Sequence, residues 1–185
     1  MAKADNNVLL NGLTGSIGKQ VTIKQRGGKT IVSKAQQPRE KAATAKQQEA
    51  QDKFSEASAY AKGIIKDEEM TAMYRSMAQP GQNAYNLALK DAYNAPVIEN
   101  LETGKYLGKP GDTIQVRATD DFRVFRVTVA IYSGKDVLLE KGNALMARNG
   151  KDWVYTATGE TKGSKVIVTA EDLPGNETKQ EIEIA

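Results

Sequence analysis

A chain of 185 residues, 39% of them hydrophobic, is long enough to bury one large core or two small ones. Its lack of both histidine and cysteine excludes disulfides, thiolate metal sites, cysteine nucleophiles, Ser-His-Asp triads, HExxH zinc sites and facial-triad iron sites, while a carboxylate-only hydrolase stays open. The net charge of +3 is unevenly spread: residues 1–46 hold nine basic side chains (Lys3, Lys19, Lys24, Arg26, Lys29, Lys34, Arg39, Lys41, Lys46) against Asp5 and Glu40, a net of +7, so the rest carries −4, and the first segment is a different physical object from the remainder of the chain. At the N-terminus Val8-Leu9-Leu10 is too short for the apolar core of a secretory signal, and no run reaches the roughly 18–20 apolar residues of a membrane span. The expectation is a cytoplasmic protein with no membrane partner, packaged in or released with a particle where it leaves the cell.

The stretch "NGLTGSIGKQVTIKQRGGKTIV", residues 11–32, has the glycines of a phosphate loop but not their spacing. Five residues separate Gly12 from Gly18, Gln20 stands where a Ser/Thr hydroxyl should hold magnesium, and the glycine required ahead of Gly28-Lys29-Thr30 is Ile23. A phosphate loop must also open a helix, whereas Val21 and Ile23 alternate with polar residues, Arg26-Gly27-Gly28-Lys29 reads as a turn, and Thr30-Ile31-Val32 returns. This is a hairpin signal.

After Pro38 the composition becomes helical. Thr44 with Gln47 forms a capping-box pattern, and Phe54, Ala57, Ala61, Ile64 and Ile65 recur at helical spacing. Asp67, Glu68 and Glu69 mark a second start, followed by Met70, Met73, Tyr74 and Met77, a stripe read as helix–helix core. Gln79-Pro80-Gly81 breaks the run, and "QNAYNLALKDAY" gives a third helix with Tyr85, Ala88, Leu89 and Ala92 on its apolar side. Three such helices make a small bundle capped by the hairpin.

From residue 96 the period falls to two. Ile114, Val116 and Ala118 alternate with polar residues, then Phe125, Val127, Val129 and Ile131, then Trp153 with Tyr155, Val166 with Val168, and Ile182 with Ile184. Turn residues at Gly104, Pro110-Gly111, Asp120-Asp121, Gly134, Gly142, Asn149-Gly150, Gly163 and Pro174-Gly175-Asn176 punctuate the strands as in an antiparallel sandwich, with Trp153 as its core aromatic.

The segment "SKVIVTAEDLPGNETKQEIEI", with its V-x-V-x-A-x-D-x-x-G-N pattern, resembles the last two strands of bacterial immunoglobulin-like domains, where a Gly-Asn turn joins the closing hairpin. "GDTIQVRATDDFRVFRVTVAIY" resembles earlier strands of such a domain. "LTGSIGKQVTIKQRGGKTIVSKAQQPREKAATAKQQEAQDKF" is similar to the N-terminal module of uncharacterised bacteroidete proteins that pair a Gly-Lys hairpin with a Gln-rich helix. The resemblances imply folds and carry no catalytic residue to this chain.

The expected fold is therefore α+β: an N-terminal β-hairpin with a small helical bundle over residues 1–95, and an immunoglobulin-like antiparallel β-sandwich over residues 96–185. Lys19, Lys24, Arg26, Lys29 and Lys34 are the candidate partner-binding residues, and an acidic protein surface, met by strand addition and by charge, is the expected partner. Two alternatives stay open for the basic arm: nucleic acid, although no aromatic residue precedes Phe54 to stack on bases, and a solubilising surface. Homo-oligomerisation is also left open. Asp120, Asp121, Glu171 and Asp172 near strand ends raise the question of calcium, which gathers several oxygen ligands at one point. No EF-hand spacing is present, so these acids are read as solvating turns and pairing with Lys or Arg, and no cofactor or metal is assigned. The expected function is that of a non-enzymatic structural or protein-interaction protein, a component or cargo of a phage-like or contractile injection particle, with nucleic-acid binding as the alternative. A carboxylate-only enzyme would require a converging acidic pair in a concave pocket.

Overall fold

The computed structural model describes residues 2–3, 8, 10, 12–38, 42–160 and 163–184. Arg39 and Lys41 of the basic arm, and its two acids Asp5 and Glu40, lie outside the described residues. The fold is α+β, with three helices and three antiparallel sheets. It divides into two compact units, Met1–Gln48 and Glu49–Ala185.

The first unit is a four-stranded sheet built from β1 (Ala2–Lys3), β2 (Gly15–Ile17), β3 (Val21–Arg26) and β4 (Lys29–Lys34), in the order β1-β4-β3-β2. Gly27 (φ 56°) and Gly28 (φ 75°) form the β3–β4 turn. Two successive positive φ angles give the turn whose twist matches the flanking strands, which is why glycine is needed there. The same device recurs between β2 and β3, where Gly18 (φ 57°) and Lys19 (φ 55°) lie between Ile17 and Gln20, whose N–H donates to the Ile17 carbonyl at 3.1 Å. A strand follows each glycine cluster, so neither has the helix N-terminus that a phosphate loop requires. Two short strands extend the expected hairpin: Gly15–Ile17 pairs along residues 21–23 of β3 and Ala2–Lys3 along residues 31–32 of β4.

Helix α1 (Ala45–Ile64) begins with the expected capping box, in which the Thr44 N–H donates to Gln47 Oε1 at 3.1 Å and the Gln47 N–H to Thr44 Oγ1 at 3.3 Å. Residues 45–56 are all exposed, so these three turns are held by the intrinsic helix propensity of Ala, Gln, Glu and Lys rather than by burial. Phe54 and Ile65 are half-exposed, and the expected apolar stripe contracts to Ala57, Ala61 and Ile64. Helix α2 (Glu68–Met77) is capped by Asp67, which accepts the Met70 N–H, and α3 (Ala84–Tyr93) by Asn83, which accepts that of Asn86. The buried face of α3 is Ala84, Leu87, Ala88 and Asp91, rotated from the expected Tyr85, Leu89 and Ala92.

The remaining strands are β5 (Val97–Glu102), β6 (Thr113–Thr119), β7 (Val124–Tyr132), β8 (Leu138–Asn143), β9 (Leu145–Met146), β10 (Asp152–Thr156), β11 (Lys165–Asp172) and β12 (Glu177–Glu183). They form two four-stranded antiparallel sheets, β5-β6-β10-β9 and β12-β11-β7-β8. Inward residues of both sheets, among them Ile114, Val116, Val127, Val129, Ile131, Trp153, Val166 and Val168, bury one common core, an arrangement compatible with a β-sandwich. Phe125 departs from the expected alternation and is half-exposed. The aromatic that turns inward is Phe122, whose ring stacks on Tyr74 with centroids 4.2 Å apart and 26° between planes.

Phe122 and Leu173, from the sheet half, pack into the core formed by α1, α2 and α3. This is why the helical core belongs to the same compact unit, Glu49–Ala185, as the two sheets. Three short helices enclose too little apolar volume by themselves, and the sheet ends complete it. Among the described residues, no helix is long and apolar enough to cross a membrane.

Candidate functional sites

In an antiparallel ladder, residues directly opposite each other share a face. The pairs Thr22–Ser33, Lys24–Ile31 and Arg26–Lys29 therefore put Lys24, Arg26 and Lys29 together on one face of the N-terminal sheet. Val21, Ile23, Thr30 and Val32 occupy the other, where Ile23 and Thr30 are buried. Lys34 is opposite Val21 and belongs to this second face. Lys19, in the β2–β3 turn, meets Lys24 and Lys34 around a concavity of about 560 Å³ that is also lined by Ser16, Thr22, Ser33 and residues 35–38. All five candidate basic residues are exposed, and none forms an ion pair with a described residue.

The second cluster was only half-legible. Asp121 and Glu171 behave as turn and pairing acids: Asp121 accepts Lys90 Nζ and Asn94 Nδ2, each at 2.6 Å, and Glu171 pairs with Arg126. Asp120 and Asp172 do not. Together with Asp91, which sequence reasoning missed, they offer three carboxylate oxygens within 4.8 Å of one another. Each arrives at the end of a buried stripe. Asp91 completes Ala84-Leu87-Ala88 on α3, Asp172 completes Val166-Val168-Ala170 on β11, and Asp120 continues Ile114-Val116-Ala118 just beyond β6. The register shift between Glu171 and Asp172 is a bulge of the kind that re-aims a side chain at a sheet end.

The hydrogen bonds around the cluster are specific. Tyr60 and Tyr74 share a hydroxyl contact of 3.0 Å, and Tyr74 donates to Asp91 Oδ2 at 2.5 Å. Asp172 Oδ1 accepts the backbone N–H groups of Gly175 (2.8 Å) and Asn176 (2.6 Å), and its Oδ2 accepts Asn176 Nδ2 at 2.7 Å. That same amide faces the carbonyls of Asp91, Ala92 and Asn94 at 3.3–3.4 Å, at the C-terminal end of α3. The D-x-x-G-N motif thus fastens the helix to the β11–β12 turn. Asp91 Oδ1 and Asp120 Oδ1 are buried and receive no donor from the rest of the protein, so a bond between the two acids requires a shared proton.

Burial, then the adjacent Asp120, drive the Asp91 carboxyl up to about 8 against the opposing bond from Tyr74. Burial also raises Asp172, partly offset by the donors of Asn176 and Gly175, and raises Tyr74, with Asp91 adding to the effect. Three carboxylates this close cannot all be charged without a positive counterpart, so either protons or a cation must neutralise them. Asp120 and Asp121 line a cleft of about 410 Å³ with Lys53, Asn94, Val97 and Thr119. A larger cleft, about 720 Å³, lies on the other side of Asp120, bordered by Met77, Phe122, Phe125 and Trp153, whose buried indole N–H has no partner.

No protein-family model matches the sequence, and no curated protein matches it. Among solved structures the chain is similar to a crystal structure of an engineered protein, with 15% identity and a TM-score of 0.38. That similarity covers 58% of this chain, which spans 29% of the length of the other.

Proposed function

We propose that the chain is a non-enzymatic interaction protein whose N-terminal sheet docks through its basic face onto an acidic protein surface, with an immunoglobulin-like sandwich as its second module. The observation that carries this reading is the placement of Lys24, Arg26 and Lys29, all exposed, on one face of a segment whose residues 1–46 carry a net charge of +7. Unpaired surface charge of one sign steers association with a complementary surface and suppresses other partners.

Strand order supports the immunoglobulin-like reading. Taken in chain order, β5 to β12 correspond to strands A, B, C, C′, D, E, F and G, so that the two sheets read A-B-E-D and G-F-C-C′. A component or cargo role in a phage-like or contractile particle follows by analogy, since small β-sandwiches serve as docking modules there. Catalysis is disfavoured because Asp91 and Asp172 are fully buried and, on the cleft that Asp120 shares with Asp121, the second carboxylate is already tied to Lys90 and Asn94.

The concavity between Lys19, Lys24 and Lys34, with its hydroxyl groups, favours one competing reading, a phosphate backbone. The experiment compares the full chain with a Lys24→Glu, Arg26→Glu, Lys29→Glu triple variant, each used as bait in its native cells. Selective loss of a co-purifying protein supports docking. Retention of every partner by the triple variant overturns it. Titration with mixed-sequence DNA and RNA at low salt, where backbone contacts are strongest, decides the competing reading.

A further inference from the structure

We infer that Asp91, Asp120 and Asp172 bind a calcium ion that clamps the end of α3 to the ends of β6 and β11. Oxygens coordinated to one calcium at about 2.3–2.6 Å are separated by no more than about 5 Å, and the three carboxylate oxygens here meet that limit at 4.8 Å. The donor set is all oxygen, in a chain without histidine or cysteine, which suits a hard cation and not zinc or copper.

Acidic residues gathered at a surface would mean little. These are not at the surface: Asp91 is 0% exposed and Asp172 1%. Asp91 spends one oxygen on Tyr74, while its other, Oδ1, and Asp120 Oδ1 are enclosed with no donor from the rest of the protein, and the two acids can bond to each other only by sharing a proton. Buried carboxylates are neutralised by a proton, a paired charge or a metal, and no Lys or Arg among the described residues forms an ion pair with any of the three. The salt bridges nearby go to Asp121 and Glu171 instead. A cation would take the place of the shared proton, using the same enclosed oxygens and supplying the positive charge for all three carboxylates. Asp120, half-buried on the 410 Å³ cleft, gives it a route in and leaves room for water to complete the shell. This inference does not depend on what the basic face binds.

The test uses the full chain stripped with a chelator. Thermal unfolding in chelator and in millimolar calcium should differ by several degrees, since a ligand held only by the folded state stabilises it. Terbium, a calcium surrogate, should bind one per chain with emission sensitised by Tyr74 and Tyr60, and calcium should displace it. Asp91→Asn should weaken calcium at least about tenfold, because ligand charge count sets affinity in such sites, while leaving the midpoint in chelator little changed, because the amide is neutral and its oxygen still accepts from Tyr74. Should Asp91→Asn fail to fold, Asp120→Asn on the cleft side gives the same reading. Two results overturn the inference: no calcium-dependent shift and no terbium emission in the native sequence, or a shift that magnesium matches and the Asn variants retain.

Discussion

Tyr74 and Asp91 are joined by a hydrogen bond of 2.5 Å between two fully buried side chains, on α2 and α3 respectively. Tyr60 on α1 extends the bond into a chain of three residues, one from each helix. Phe122 covers the Tyr74 ring from the sheet side, so the hydroxyl cannot turn to water.

Removal of that hydroxyl leaves Asp91 Oδ2 without its donor. Tyr74→Phe keeps the ring stacking and should cost about 1–3 kcal/mol, the range for stranding a buried polar group. Tyr60→Phe, at a partly buried donor, should cost less. Denaturant unfolding of both variants checks the order, and equal costs would show that Asp91 does not depend on this donor.

A second prediction concerns Asn176, whose side-chain amide faces Asp172 and three carbonyls at the end of α3. Asn176→Ala removes every one of these contacts without touching the core. The expected cost is about 1–2 kcal/mol, with faster amide exchange in the last turn of α3 and little change in β7 or β11. Uniform loss of protection through both sheets would instead make the residue part of the global core.

These two residues also mark how much was legible in the chain. Helix starts were plain because their caps are local: Thr44 with Gln47, and Asp67 before two glutamates, need no knowledge of what lies across the molecule. The Gly27-Gly28 turn was plain for the same reason. Asp91 was hidden because a carboxylate in a helix is ordinarily read as the solvated side, which rotated the expected stripe toward Tyr85 and Leu89. The signal that would have found it is an acid standing one period past an apolar stripe, and the same pattern ends β11 at Asp172 and follows β6 at Asp120. Convergence of the three depends on a bulge and on helix docking, neither of which is encoded in a short window. The D-x-x-G-N motif was recognised as a fold signature, but its task of holding α3 emerged only from the contact of Asn176 with residues 82 to 85 positions earlier.

Glu140 supplies a pH-dependent tie between the two sheets. It lies on β8 and accepts from Tyr155 on β10 at 2.7 Å, from the Thr158 N–H at 2.7 Å and from the Thr158 hydroxyl at 2.8 Å. Burial pushes its carboxyl up, but these donors outweigh burial and hold it below the usual glutamate range. A carboxyl lowered in the folded state binds its proton more readily in the unfolded chain. Its stabilisation is therefore complete above the unfolded value and is lost as pH falls through the folded one. Glu140→Gln should flatten that part of the stability profile, measured by denaturant unfolding between about pH 3 and 6. A variant with the native slope would assign the dependence to other acids.

The last prediction tests the turn that holds Lys24, Arg26 and Lys29 in register. Gly28 has φ 75° and open space around the position a Cβ would take, so substitution meets no steric obstacle and acts through backbone conformation alone. Left-handed geometry costs an L-residue roughly 1–2 kcal/mol, more for a β-branched one. Gly28→Val should accelerate exchange of the β3 and β4 amides about tenfold, the equivalent of 1.4 kcal/mol, and leave the Glu49–Ala185 unit unchanged. The complementary change is Lys19→Gly, at a non-glycine residue with φ 55°. It relieves the same strain in the β2–β3 turn and should leave exchange equal or slower, while removing one positive charge from the concavity. If Lys19→Gly abolished partner binding with the sheet intact, the lysine would be held in that strained turn for contact. If binding survived, the basic face formed by Lys24, Arg26 and Lys29 would carry the docking without it.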